Sequence, residues 1–307
     1  MRFVTSPVAV RVPATSANLG PGFDSLGLAL ELHDTITARV AGDGVRVIVA
    51  GKGAGELAAD EGHLIAATML ATFDRLGGLP AGLELSCQNA IPQARGLGSS
   101  SAAIVAGVLL ARQLVEGAPA ELDEAAVIRL AADAEGHPDN VAPCVLGGVT
   151  IAWTESSSAG HAGARALRLQ DAKGVVPVIF VPALRGYTAQ ARAVLPATVP
   201  LADAAFNAAR TALLVRALTG TPELLFEATE DRLHQGYRAA AMPETKNLLL
   251  ALREQGIAAV LSGAGPSVLA LVPDEQDLAS RAQRLCPPRW HAAPVSIAAQ
   301  GARPIRP

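Results

Sequence analysis

The sequence predicts an α+β protein. Three observations carry that reading. Half of the 307 residues are apolar and only 17% are charged, so the chain can bury a sizeable core and is not disordered. Strand-length apolar runs and helix-length runs both occur, without the strict β-α alternation of a doubly wound sheet. Glycine and proline turns punctuate these runs, and no solenoid repeat or low-complexity block replaces them.

Residues 8–12 read as the first strand. Residues 33–40 and 45–50 are expected to form a hairpin around Ala41-Gly-Asp-Gly44. Residues 64–76 form a helix that stops at Gly77-Gly78, and 83–89 a strand. Residues 100–115 are apolar on nearly every face as far as Arg112, which predicts a buried helix. Residues 124–135 are amphipathic and helical, and 148–153 return as a strand. The small, polar stretch 154–163 is the expected linker, dividing the chain into domains at 1–155 and 164–307. Beyond it, 175–181 is a strand, and 202–218, 222–235 and 244–255 are helices. Residues 258–262 and 267–272 are strands around a glycine-rich turn, and 274–285 is the last helix.

Composition excludes several function classes. With 25 basic and 28 acidic residues the net charge is −3, so there is no cationic excess for nucleic acid. The cations are nearly all arginine, the better grip for carboxylate and phosphate. Cys87, Cys144 and Cys286 are scattered, without a CxxC pair, which argues against a disulfide framework or a zinc site. The N-terminal residues lack the apolar core of a signal peptide. The longest uncharged stretch, 255–273, is broken by Ser-Gly-Ala-Gly-Pro. A soluble, cytoplasmic protein with no membrane partner is expected.

The most informative segment is Ile91-Pro-Gln-Ala-Arg-Gly96-Leu-Gly98-Ser99-Ser100-Ser101-Ala102. It joins a strand to the buried helix through two glycines and three serines. Glycines let a backbone approach a phosphate closely, and the first amides and dipole of a helix favour an anion. No GK[ST] follows, so this is not a Walker A loop. The third glycine of a dinucleotide fingerprint is also missing.

Pro92-x-x-x-Gly96-Leu-Gly-Ser-Ser100-x-Ala102 resembles the phosphate loop of the galactokinase, homoserine kinase, mevalonate kinase and phosphomevalonate kinase (GHMP) superfamily. Val12-Pro-Ala-Thr-Ser-Ala-Asn18-Leu-Gly-Pro-Gly-Phe-Asp24-Ser-Leu-Gly27 and Glu135-Gly-His137-Pro-Asp139-Asn140-Val-Ala-Pro143 are similar to segments of the homoserine kinases in particular. Leu261-Ser262-Gly-Ala-Gly265-Pro-Ser267 resembles the third superfamily motif. These motifs, in this order, span nearly the whole chain. The resemblance implies a two-domain fold: an N-terminal domain like the second domain of ribosomal protein S5, a C-terminal ferredoxin-like domain, and an active site in the cleft between them. It implies ATP and Mg²⁺, L-homoserine as the acceptor, O-phospho-L-homoserine as a product on the way to threonine, and a homodimer.

The implied roles follow residue by residue. Pro92, Arg95, Gly96, Leu97, Gly98, Ser99, Ser100 and Ser101 would hold the ATP phosphates, with Ser100 and Glu135 meeting Mg²⁺. Ser101 stands where the family usually has alanine. Asn18 would orient the acceptor hydroxyl and Asp24 would pair with the substrate ammonium. His137, Asp139 and Asn140 would position substrate, Asn140 and Glu135 counting with Asn18 as catalytic; the general base stays open, because a loose phosphoryl-transfer transition state lowers the demand for one. Thr188, Arg192 and Arg238 would grip the α-carboxylate. Ser262, Gly263 and Gly265 would pack beside the phosphate loop. His63 replaces the asparagine that homoserine kinases usually carry before Leu64, at the expected adenine site. A kinase of mevalonate or a sugar, and a non-catalytic nucleotide-binding relative, are the competing readings. Asp24 with two arginines favours an amino acid, since mevalonate has no ammonium and sugars have neither charge.

Overall fold

A computed structural model describes the chain except for residues 118–121, 156–162, 170–171, 173, 187 and 275–276, and the side chain of Thr188. The first sheet starts from β1 (Val8–Ala17) and β2 (Leu26–Val40), paired antiparallel with a register shift at Pro13/Ala14. β3 (Gly44–Gly51), α1 (Leu64–Arg75) and β4 (Gly82–Asn89) follow. The expected hairpin of residues 33–50 does not form. β4 lies between β2 and β3, antiparallel to the first and parallel to the second. Parallel neighbours need a crossover, and α1 supplies it. The loop after β2 therefore steps over the start of β4, where Ala41 N–H donates to Gly82 O (3.2 Å) and Gly44 N–H to Ala81 O (3.0 Å).

α2 (Ser99–Leu114) runs from the glycine-rich loop into the core, with Ala102, Val105, Ala106, Leu110 and Ala111 fully buried. α3 (Glu124–Glu135) is capped by Asp123, which accepts from Ala126 N–H (2.7 Å), and stops at Gly136 in the left-handed region. The short α4 (Val141–Leu146) and β5 (Val149–Glu155) complete this half. β6 (Gly163–Arg168) then pairs antiparallel with β5. The stretch expected as a linker thus joins two strands of one sheet; of that stretch, 156–162 lie outside the described residues. The passage to the second sheet comes after Arg168. Small polar residues suit a hairpin connection as well as a linker, so composition alone did not separate the two.

The second sheet begins at β7 (Val175–Val181). α5 (Thr188–Ala193) and α6 (Leu201–Gly220) follow. The helix expected over 222–235 is interrupted: a 3₁₀ turn (Pro222–Leu224) leads into α7 (Leu225–Ala228), and α8 (Gln235–Ala240) starts afresh. Asp231 causes the restart, since its carboxylate accepts from the N–H groups of Leu233 (3.1 Å), His234 (3.0 Å) and Gln235 (2.7 Å). α9 (Pro243–Glu254), β8 (Ala259–Leu261), β9 (Val268–Pro273), α10 (Leu278–Arg284) and β10 (His291–Pro294) complete the unit. The order β10-β7-β9-β8, all antiparallel, is the ferredoxin-like arrangement. β11 (Arg303–Ile305) returns to the first sheet beside β1.

Alternation along β7 and β9 explains the packing. Ile179, Leu269 and Leu271 join Leu214 and Leu218 of α6 and the main core. Val178, Phe180, Ala270 and Val272 face α9 through Leu248 and Leu252. Both faces of this sheet are covered, so its strands read as continuous apolar runs. Among the described residues, no helix is long and apolar enough to cross a membrane.

Candidate active site

The glycine-rich loop enters α2 with Gly96 at φ 71° and Gly98 at φ 68°, a backbone suited to glycine. Asp34 of β2 fixes the loop entry by accepting from the N–H groups of Ala90 (2.6 Å) and Ile91 (2.8 Å). Burial pushes its carboxyl pKa up, against those two hydrogen bonds. The first intrahelical bond runs from Ala102 N–H to Gly98 O (2.9 Å), so the amides of Ser99, Ser100 and Ser101 belong to the unsatisfied first turn. That turn offers an anion site.

The third motif packs directly on the loop. Ser262 Oγ donates to Gly96 O (2.6 Å) and lies 2.9 Å from Ser16 Oγ. A Cβ on Gly96 would fall 2.1 Å from Ser262 O. Gly96→Ala is therefore expected to cost more than about 2 kcal/mol, from the left-handed φ and a backbone clash together. A thermal melt should show Tm lower by roughly 5 °C or more; an unchanged Tm would show that the two loops separate easily. Gly265 is also left-handed, beside Met242.

A cavity of about 220 Å³ opens against this loop. It gathers Asn18, Asp24, Gly96, Leu97, Gly98, Ser99, Ser100, Glu135, His137, Asp139, Asn140, Arg192, Arg238 and Gly263. Glu135, the last residue of α3, points back at α2, where its Oε1 accepts from Ser100 Oγ (2.6 Å) and Ser101 Oγ (2.8 Å). Ser101 is buried, so the extra hydroxyl braces the carboxylate from beneath. One carboxylate and one hydroxyl beside an anion site fit Mg²⁺, which takes hard oxygens and completes its shell with phosphate and water.

Opposite stands a charged clasp. Arg192 of α5 holds Asp24 through two bonds, Nη1 to Oδ2 (3.0 Å) and Nη2 to Oδ1 (2.7 Å). The Asp24 carboxylate raises the pKa of Arg192 further, against partial burial. Arg238 of α8 is only 2% exposed. Its Nε donates to Ala191 O (3.2 Å) and its Nη1 to Gly263 O (3.3 Å), while Nη1 also meets His234 Nδ1 (3.2 Å). Among the described residues no carboxylate comes within ion-pair distance of it. Burial first, then Arg192, push its pKa down. A guanidinium keeps its proton regardless, so this buried charge favours an incoming anion.

His137 Nδ1 lies 2.9 Å from Asp139 Oδ1, an ion-pair distance without hydrogen-bond alignment. The Asp139 carboxylate raises the His137 pKa above 6.5, and burial opposes it. With the folded value raised, the pair's stabilisation is complete below the ordinary histidine value and is lost as pH rises through the raised one. Wild-type Tm should fall relative to His137→Gln as pH rises from the ordinary histidine value through the raised one; parallel curves would refute the pairing.

Several expected roles shift with the geometry. Asn18, with φ 69°, spends its amide on the fold: Nδ2 donates to Gly263 O (3.0 Å) and Oδ1 accepts from Asp24 N–H (2.9 Å). It shapes the loop that presents Asp24. Arg95 turns away from the phosphate site, donating to Pro182 O (2.9 Å), Ala183 O (2.6 Å) and Gln93 O (2.8 Å). It ties the loop to the segment just after β7. The Leu97 side chain is core, and Pro92 lines a separate cleft. The Thr188 side chain lies outside the described residues. His63 caps α1, its Nδ1 accepting from Ile65 N–H (3.3 Å), and lines a cavity of about 310 Å³ that shares Ser99 and Ser100 with the loop.

Two contributors went unread. Thr15 Oγ1 donates to Asn140 Oδ1 (2.7 Å) and would sit 1.9 Å from a Cβ on Gly98. Phe23 lies beneath both arginines, 5.7 Å from Arg192 and 5.3 Å from Arg238. Both stand inside the N-terminal motif, and an aromatic next to Asp24 was the available signal.

A helix-borne anion site, a braced carboxylate and a facing clasp of charged groups between two α+β units define a small-molecule phosphotransferase. The N-terminal domain model of the GHMP kinases matches residues 63–148, and their C-terminal model matches 209–287. A homoserine kinase of Streptomyces avermitilis is 53% identical over 98% of this chain and 96% of its own. One from Clavibacter michiganensis is 53% identical over 87% of this chain and 83% of its own. The crystal structure of homoserine kinase from Cytophaga hutchinsonii superposes with a TM-score of 0.83 at 25% identity, covering 99% of both chains. The chain belongs to the GHMP kinase family, in its homoserine kinase branch.

Proposed function

We propose that the protein transfers the γ-phosphoryl group of Mg-ATP to the side-chain hydroxyl of L-homoserine. The observation that carries the substrate is Arg238, a buried guanidinium with no carboxylate partner among the described residues, beside the Asp24–Arg192 pair and facing the phosphate loop across one cavity. A zwitterionic amino acid answers all three charges. Its ammonium pairs with Asp24 and its carboxylate with Arg238 and Arg192. A sugar answers none, and mevalonate offers only the carboxylate.

The amides of Ser99, Ser100 and Ser101 would bind the β- and γ-phosphates, with the α2 dipole aligned on them. Glu135 and Ser100 would hold Mg²⁺, which when bound neutralises charge on the transferring group. The clasp orients the acceptor hydroxyl towards the γ-phosphorus, and positioning supplies much of the rate. The oxygen–phosphorus bond forms as the bond to the departing ADP oxygen breaks, and the acceptor hydroxyl gives up its proton to solvent or a phosphate oxygen, since a loose transition state needs no dedicated base. The reading includes a cytoplasmic setting and a homodimer. Light scattering should then give about twice the 31.3 kDa chain mass, and the single-chain value would overturn the dimer.

The test is ADP release with Mg-ATP and, separately, L-homoserine, L-threonine, L-serine, mevalonate and galactose. Turnover with homoserine well above the others is expected. Turnover with mevalonate or galactose alone would keep the fold and sink the amino-acid pocket.

A further inference from the structure

We infer that His234 is a positioning residue for the substrate carboxylate: its neutral ring sets the Arg238 guanidinium in register with the loop that carries Asp24. The inference rests on the homoserine reading above. His234 is wholly buried and lines neither the substrate cavity nor any surface. Its Nε2 lies 2.8 Å from Gly20 O, which can only accept, so Nε2 carries the hydrogen. Its Nδ1 lies 3.2 Å from Arg238 Nη1, which can only donate, so Nδ1 keeps its lone pair. Both partners demand the same neutral tautomer. Burial favours it too, pushing the pKa down against the nearby Asp231 and Asp24 carboxylates, with Arg238 adding to the downward shift.

The ring also stacks on Phe23 at 5.0 Å and 26°, and its Nε2 lies 3.8 Å from Asp231 Oδ2. Gly20 and Phe23 belong to the same loop as Asn18 and Asp24. Arg238 of α8 lies one helical turn beyond His234, the residue that precedes the helix. One side chain therefore touches the mount of the ammonium partner and the mount of the carboxylate partner, and these mounts come from different halves of the molecule. Space-filling alone does not call for a ring with one donor and one acceptor, each matched. Both ring nitrogens are used within the protein, so His234 acts on substrate only through Arg238.

The experiment is steady-state kinetics of His234→Leu and His234→Gln, with wild type measured alongside. Leucine keeps bulk and loses both polar contacts. Glutamine offers an amide oxygen to Arg238 and an amide N–H to Gly20. His234→Leu should raise the KM for L-homoserine roughly tenfold or more, with kcat and the KM for ATP within about twofold of wild type. His234→Gln should recover most of the loss. Preference for homoserine over 3-aminopropan-1-ol, which lacks the carboxylate, should shrink in the leucine variant. A folded leucine variant with wild-type homoserine KM overturns the inference, as does a loss confined to kcat. If the leucine variant does not fold, His234→Gln is compared with His234→Asn, whose shorter amide cannot span both partners. A higher homoserine KM in the asparagine variant is then expected, and equal KM values in that pair overturn the inference. A wild type inactive on homoserine overturns the substrate reading and this inference with it, whereas an active wild type with unaffected variants sinks this inference alone.

Discussion

Replacing Arg238 with alanine is expected to raise the KM for L-homoserine at least about a hundredfold, with the KM for ATP nearly unchanged. Truncating one member of a buried charge pair costs about 2–5 kcal/mol, much of it from the other charge left unpaired. Arg238 fits that case, being 2% exposed in the wall of the cavity. Arg192 is the more exposed partner and already shares Asp24, so its loss should hurt less. Arg238→Lys keeps the charge but not the planar fork, and it should fall between wild type and alanine. A melt must accompany the kinetics, since Arg238 also bonds Ala191 and Gly263. A folded Arg238→Ala protein with wild-type homoserine KM would remove the carboxylate grip from the mechanism.

Glu135→Gln should lower kcat by about 10²–10³, the usual loss when one preorganised electrostatic contact is removed from a transferring group. The change is nearly isosteric. The amide oxygen can still accept from Ser100 and Ser101, which donate to Oε1 at 2.6 and 2.8 Å. The fold should survive and the charge alone should go. The Mg²⁺ concentration for half-maximal rate should rise in the variant. A kcat within about twofold of wild type would show that Glu135 serves only to order α2.

Much of this molecule was legible in the sequence because its motifs encode backbone as well as chemistry. Gly96 and Gly98 must be glycine, since Ser262 O and Thr15 Oγ1 fill the space a Cβ would need. The amphipathic run of α3 matched its structural bounds at both ends, with an aspartate cap and a glycine stop. Pairing partners were less legible. Residues 33–40 and 45–50 carry good strand signals, but nothing local says that β4 will insert between them. β6, β10 and β11 are short or polar and gain their order from neighbours already in place. At the site, residue identity revealed which charges gather but not where each points. Asn18 and Arg95 carry suitable chemistry, yet the chain directs both at backbone carbonyls. Which partner claims a side chain is a tertiary fact.

The return of β11 to β1 has a consequence for how the chain is made. Ala9 pairs with Ile305 and Arg11 with Arg303, so this flank of β1 stays open until residues 303–305, nearly 300 positions later, have left the ribosome. At about 5–20 residues per second, the nascent β1 flank waits many seconds with its amides and carbonyls unpaired. An open strand of this kind templates pairing with other chains. Once β11 arrives it covers Ala9–Arg11 and becomes the outer strand there, where Pro304 has no N–H to offer a further neighbour. The same few residues that finish the sheet thus also cap it against growth.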